Sequence, residues 1–108
     1  MSEYEVELSG NAQDSIERIH RYIRDELCNP SAAKRFLIDT DDAISSLRCF
    51  PYAHMVRPGS KIVGTIEKRQ FFYRKNYCLF YIVKEESKII RILEVTYSYR
   101  NLDFIEEL

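Results

Sequence analysis

The 108-residue chain suits one domain, residues 1–108, and leaves no room for two; with 45% hydrophobic residues it has material for a packed core. That composition excludes a disordered chain, and no stretch approaches the roughly 18 apolar residues of a membrane span, so a soluble cytoplasmic protein is expected. The formal net charge of −1 conceals an asymmetry: residues 1–56 hold six Lys/Arg against ten Asp/Glu, residues 57–100 hold ten against four, and the last eight residues hold three acids and no base.

Tyr4-Glu5-Val6-Glu7-Leu8 alternates apolar and acidic residues, which predicts a half-buried strand. Ser9 then stands as a helix N-cap. Ala12, Ile16, Ile19, Ile23 and Leu27 recur at steps of four and three, the apolar stripe of an amphipathic helix. Arg18, Arg21, Arg24 and Asp25 fall off that stripe and should face solvent. Asn29-Pro30 ends the first helix and starts a second, with Asn as cap and Pro at the first helical position.

The second stripe is Ala33, Phe36, Leu37, Thr40, Ile44 and Leu47, closed by Phe50-Pro51. So short a connection predicts an antiparallel helical hairpin. Residues 51–66, with Pro51, Pro58, Gly59 and Gly64, read as a loop. Phe71-Phe72-Tyr73, the run from Cys78 to Val83 and the run from Ile89 to Val95 are short and rich in aromatic and β-branched residues, and Lys75-Asn76 and Glu85-Glu86-Ser87 supply turns between them. The run at 78–83 is apolar on both faces and is expected as a central strand. Leu102, Ile105 and Leu108 leave room for a short C-terminal helix.

The expected fold is therefore α+β: an N-terminal strand, an antiparallel helical hairpin, then a three-stranded antiparallel meander completing a four-stranded sheet (β-α-α-β-β-β). The basic block coincides with the meander. Packed helices on one side of the sheet would leave cationic and phenolic groups on the other.

Cys28, Cys49 and Cys78 cannot all pair within one chain and include no Cys-x-x-Cys, so three reduced, buried thiols are expected. The acidic start, Met1-Ser2-Glu3-Tyr4-Glu5, does not read as a signal peptide. His20 and His54 have no acidic or cysteine partner at ligand spacing, and neither a metal nor a cofactor is expected.

Five pieces together carry a resemblance. These are Ser9 to Ala12, Asn29-Pro30, Leu47-Arg48-Cys49-Phe50-Pro51, Asn76-Tyr77-Cys78-Leu79-Phe80-Tyr81, and the segment from Ile92 to Asn101 with its Tyr97-Ser98-Tyr99-Arg100 ending. In order and spacing the chain resembles the RelE/ParE superfamily of toxins from type II toxin–antitoxin systems. The resemblance implies a growth-inhibiting toxin neutralised by a cognate antitoxin in a hetero-oligomer. Its target would be DNA gyrase, as for ParE-like members, or mRNA in the ribosome, as for RelE-like members. The latter are metal-independent, ribosome-dependent endoribonucleases. A degenerate member that only binds its antitoxin is the third reading.

For the ribonuclease the resemblance nominates Arg100, which matches the arginine after the last strand, and Tyr97, where relatives carry His or Tyr. Lys68 and Arg69 fall near the basic pair of RNA-cleaving members. Arg74, Lys75, Arg91 and Tyr99 are the expected contacts to RNA or another target. Two departures stand out. Cys78 occupies the strand position where the ribonucleases carry an arginine, and a thiol has neither the charge nor the fork of donors to clamp a phosphate. Asn101 replaces an acidic residue. These departures, the long hairpin and a sequence pI near 6.1 lean the expectation toward gyrase inhibition.

Overall fold

A computed structural model describes residues 4–54, 56, 67–74 and 77–97. Strand β1 (Glu5–Leu8) leads into helix α1 (Gly10–Arg21), which continues through a π-helical turn, Tyr22–Glu26. Helix α2 (Pro30–Cys49) follows, then strands β2 (Arg69–Tyr73), β3 (Tyr77–Lys84) and β4 (Ile89–Tyr97). The sheet order is β1-β4-β3-β2, with β1 parallel to β4 and the meander antiparallel. This is the expected β-α-α-β-β-β arrangement, and β3 runs inside the sheet. None of the described helices is long and apolar enough to cross a membrane.

Both helix starts are set by the expected caps. Ser9 accepts the Ala12 N–H at 3.0 Å, and Asn29 accepts the Ala32 N–H at 3.1 Å with Pro30 next in line. The first helix ends differently from its pattern. Leu27 N–H bonds to Tyr22 O at 3.1 Å, five residues back, so one residue is inserted into the helical repeat. Asn29 N–H then reaches Ile23 O at 3.1 Å, six residues back, and Cys28, left-handed at φ 52°, turns the chain out of the helix. The insertion turns Leu27 off the stripe, and it is 49% exposed rather than buried.

The core lies between the hairpin and one sheet face. Ala12, Ser15, Ile19 and Ile23 on the first helix and Ala33, Phe36, Thr40, Ala43 and Leu47 on α2 are buried. Leu37, expected in the second stripe, is 39% exposed, because the buried spacing of three and four passes through Phe36 and Thr40 beside it. They meet Tyr73, Tyr77, Leu79, Tyr81, Ile90, Ile92 and Val95. Thr40 Oγ1 and Tyr73 Oη share a buried hydrogen bond of 2.7 Å, and burial raises the Tyr73 pKa well above the ordinary phenol range.

In β4 the buried residues change parity, from Ile90 and Ile92 to Val95. A bulge explains this. Phe80 pairs with Glu94 but Tyr81 pairs with Ile92, so Leu93 is the extra residue and both halves of β4 face the helices. β1 has ended by this point, and α1 satisfies the bulged edge instead. Ser9 N–H bonds to Ile92 O at 3.0 Å, Ser9 Oγ donates to Leu93 O at 2.9 Å, and Val95 N–H donates to the buried Ser15 Oγ at 3.0 Å.

The thiols depart from expectation. Cys78 is buried, but Cys28 and Cys49 are exposed, because the first is the cap residue after the π turn and the second closes α2. The segments proposed as the Lys75-Asn76 turn, most of the 51–66 loop and the C-terminal helix lie outside the described residues.

Candidate functional site

Strand alternation decides where each candidate side chain falls. Arg69, Phe71 and Tyr73 point toward the helices with Tyr77, Leu79, Tyr81 and Val83, since each pairs across β2 and β3 with a core residue. Lys68, Gln70 and Phe72 take the open face, with Phe80, Ile82 and Lys84 from β3 and Arg91 and Glu94 from β4. The open face is thus only partly the home of the cations and phenols. Arg69 and Tyr97 belong to the helix side, and Lys68 and Arg91 to the other.

On the open face the cations are engaged. Lys68 Nζ lies 5.6 Å from the centre of the Phe80 ring. Arg91 Nη1 is 2.5 Å from Glu7 Oε2, and Lys84 Nζ is 3.9 Å from the same oxygen. Arg74, left-handed at φ 54°, sits in the β2–β3 turn and pairs with Asp39 of α2 at 3.0 Å. Phe72 is 54% exposed, whereas Cys78, on the same face, is buried.

Tyr97 ends β4 opposite Tyr77, with ring centres 5.3 Å apart. Arg69 pairs with Tyr81, four residues further along β3 and on the opposite side of it. From strand rise and spacing their backbones stand roughly 16 Å apart. Lys75, Tyr99 and Arg100 lie outside the described residues. The described members of the predicted quartet, Lys68, Arg69 and Tyr97, are not brought together.

Arg69 is instead the centre of another cluster. Its guanidinium donates from Nη1 to His54 O at 2.8 Å, lies 5.0 Å from the centre of the Tyr52 ring, and has Nη2 3.8 Å from Glu67 Oε1. The His54 ring stacks on Phe71 at 3.7 Å, and burial lowers its pKa. Tyr81 Oη donates to Pro51 O at 2.8 Å. The chain leaving α2 is thereby pinned across the sheet end by Tyr81, Arg69 and Phe71.

Glu85, in the β3–β4 turn, gathers three donors, two from distant segments and one from its own turn: Tyr4 Oη at 2.8 Å, Tyr52 Oη at 2.5 Å and Lys88 Nζ at 2.5 Å. Lys88 and the two phenols hold its carboxyl down at about 2, and the carboxylate in turn pushes Tyr52 up to about 12. A cleft of about 630 Å³ opens here, lined by Tyr52, Glu67, Arg69 and the stretch from Val83 to Ser87. Of the predicted site residues that are described, only Arg69 reaches it. Tyr52 and Glu85 were missed, because nothing in sequence links a loop tyrosine to a turn glutamate 33 residues away. Among the described residues no group of three or more His, Cys, Asp or Glu is placed to hold a metal ion.

The family model described as the ParE toxin of the type II toxin–antitoxin system, parDE, matches residues 6–102. Among solved structures, the chain is similar to a chromosomal ParDE toxin–antitoxin system from P. aeruginosa, with a TM-score of 0.68 and 20% identity over 87% of this chain and 95% of that one. It is also similar to the RelBE2 toxin–antitoxin complex from Mycobacterium tuberculosis, with a TM-score of 0.56 and 16% identity over 87% and 96%. The archaeal RelE–RelB complex from Pyrococcus horikoshii OT3 gives a TM-score of 0.55 and 19% identity over 90% and 96%. These structures share the fold. No curated protein sequence matches significantly.

Proposed function

The chain belongs to the ParE toxin family of type II toxin–antitoxin systems, and from that premise we propose that it arrests bacterial growth by inhibiting DNA gyrase and is neutralised by a cognate antitoxin. The structures it resembles are toxin–antitoxin complexes by description, which supports the antitoxin partner.

The observation that carries the gyrase target is the dispersal of Lys68, Arg69 and Tyr97, the described members of the set nominated for RNA cleavage. Cleavage by attack of a 2′-hydroxyl needs a proton acceptor, a proton donor and cations within hydrogen-bond reach of one phosphate. Lys68 and Arg69 occupy opposite faces of the sheet, and Tyr97 stands roughly 16 Å from Arg69 by strand geometry. The Arg69 guanidinium is committed to His54 O and Tyr52, and the strand position of the phosphate-clamping arginine holds a buried thiol, Cys78. An inhibitor that works by binding needs none of these groups to converge.

The experiment is induction of the protein in a bacterial host, followed by recovery of gyrase-bound broken DNA and mapping of mRNA 5′ ends from the same culture. The proposal expects arrested growth, trapped gyrase–DNA and intact messages. Cut messages with unbroken DNA would favour the ribosome-dependent endoribonuclease. Normal growth with soluble protein would favour a degenerate member.

A further inference from the structure

The cleft beside Glu85 forms because β3 outruns its neighbour: β3 continues to Lys84, whereas β2 begins at Arg69, opposite Tyr81. In the parallel β1–β4 pair, Glu5 N–H bonds to Lys88 O and Ser9 N–H to Ile92 O, so Ile90 and Ile92 turn their peptide groups toward β1. Ile89 and Arg91 therefore bond to Lys84 and Ile82, and Val83 between them must turn its peptide groups the other way. The line of β2, extended, leads to Glu67, but no backbone bond joins Glu67 to Val83. Among the described residues nothing satisfies the Val83 N–H and C=O, and both Val83 and Glu67 line the cleft.

Two opposite charges flank this gap without closing on each other. The Arg69 side chain, 18% exposed, spends Nη1 on His54 O and lies over the Tyr52 ring, but its Nη2 is 3.8 Å from Glu67 Oε1, too far for a hydrogen bond. A guanidinium carries several N–H donors, so some are left for an incoming carboxylate in a half-shielded place. Glu67, with its side chain 59% exposed, is left to receive a cation.

The charges of the lining decide the class of ligand. Glu67 and Glu86 oppose a phosphate or other polyanion, and Arg69 and Lys84 oppose a plain cation. Glu85 adds little to either side, because Lys88, Tyr4 and Tyr52 already engage it. A zwitterion answers both poles. The Tyr52 ring and the Val83 side chain supply apolar wall, and the volume of about 630 Å³ falls among small-molecule sites, roughly 300–1,000 Å³.

We infer that the cleft binds a free α-amino acid with a bulky apolar side chain, held by its charged ends between Arg69 and Glu67. Its carboxylate takes the remaining Arg69 donors and the Val83 N–H. Its ammonium takes Glu67 and the Val83 carbonyl, and its side chain lies along Tyr52 and Val83. The site is separate from the toxin's action and holds whichever target the toxin has.

The probe is phenylalanine, titrated into the full-length protein by NMR. Two analogues each lack one pole: phenylpropanoate has no ammonium, and phenylethylamine has no carboxylate. Millimolar phenylalanine should shift the amide signals of Arg69, Val83 and Lys84, and each analogue should bind at least tenfold more weakly. Arg69→Gln should cost phenylalanine a similar factor. Glu67→Gln, at an exposed position, should weaken phenylalanine about threefold or more, the scale of an exposed ion pair, and leave phenylpropanoate unchanged. That contrast separates loss of the ammonium contact from a general disturbance of the cleft. It also decides the matter if Arg69→Gln loosens the chain at His54. No shift at those amides, an analogue that binds as tightly as phenylalanine, or a Glu67→Gln variant that spares phenylalanine or weakens both ligands alike would overturn the inference.

Discussion

Ser15, buried on α1, accepts the backbone N–H of Val95 at 3.0 Å across 80 residues of sequence, and so completes a strand edge that β1 leaves unpaired. The same hydroxyl donates to Ala12 O at 2.9 Å. One small polar side chain thus fastens the first helix to the last strand at the β-bulge.

Replacing Ser15 with Ala strands the Val95 N–H in the core. The expected loss is about 1–3 kcal/mol, the range for a buried donor left without a partner. Urea unfolding followed by circular dichroism measures it. Ser46→Ala is the control, since its hydroxyl bonds only to the Ala43 carbonyl within the same helix, and it should change stability by no more than about 0.5 kcal/mol. Equal losses in the two variants would contradict the assigned role of Ser15.

The π-helical turn separates two residues that pattern alone treats alike. Phe36, 1% exposed and packed against Tyr77 at 4.8 Å between ring centres, should cost about 3–5 kcal/mol on truncation to Ala. Leu27→Ala, at a half-exposed position, should fall within about 0.5 kcal/mol of the parent. A large loss at Leu27 would mean that the helix runs on without the inserted residue.

Glu85 gives the protein an acid-sensitive tether between Tyr4, Tyr52 and Lys88. Its folded pKa, about 2, lies below the ordinary 4.5, so the unfolded chain binds the proton more readily. The stabilisation is therefore full above about pH 4.5 and is lost as pH falls toward 2. Glu85→Gln should be less stable than the parent at neutral pH, and the gap should close between those two values. Parallel stability curves across that window would show that the carboxylate holds nothing.

Much of this arrangement was legible from residue order, for reasons that can be named. Both helices announce themselves because Ser9 and Asn29 are good caps and the apolar spacing is regular. β3 reads as an inner strand because Cys78 to Val83 has no polar face. Leu27 was misplaced because the π insertion follows from packing, and the pattern continues smoothly through it. Ser15 was overlooked because a serine on a core face has no apolar signature; its partner is a backbone group on a distant strand. Ala43 is too small to mark a stripe.

The site was less legible than the fold. That Lys68 and Arg69 fall on opposite faces follows from strand periodicity alone and was available in advance. The Tyr52–Glu85–Lys88 cluster was not, since it joins a loop to a turn through tertiary contact. The parity change in β4 did leave a trace, since Arg91 and Glu94 both take the open face yet stand three residues apart, with the adjacent apolar pair Ile92-Leu93 between them marking the bulge.

The most direct measurement adds the purified protein to DNA gyrase and relaxed plasmid and follows supercoiling. The account predicts that supercoiling stops, or that cleaved DNA accumulates, at protein concentrations comparable to the enzyme, and that premixing with the cognate antitoxin restores the activity. Full supercoiling in the presence of excess folded toxin, with messages cut in a parallel translation reaction, would contradict it.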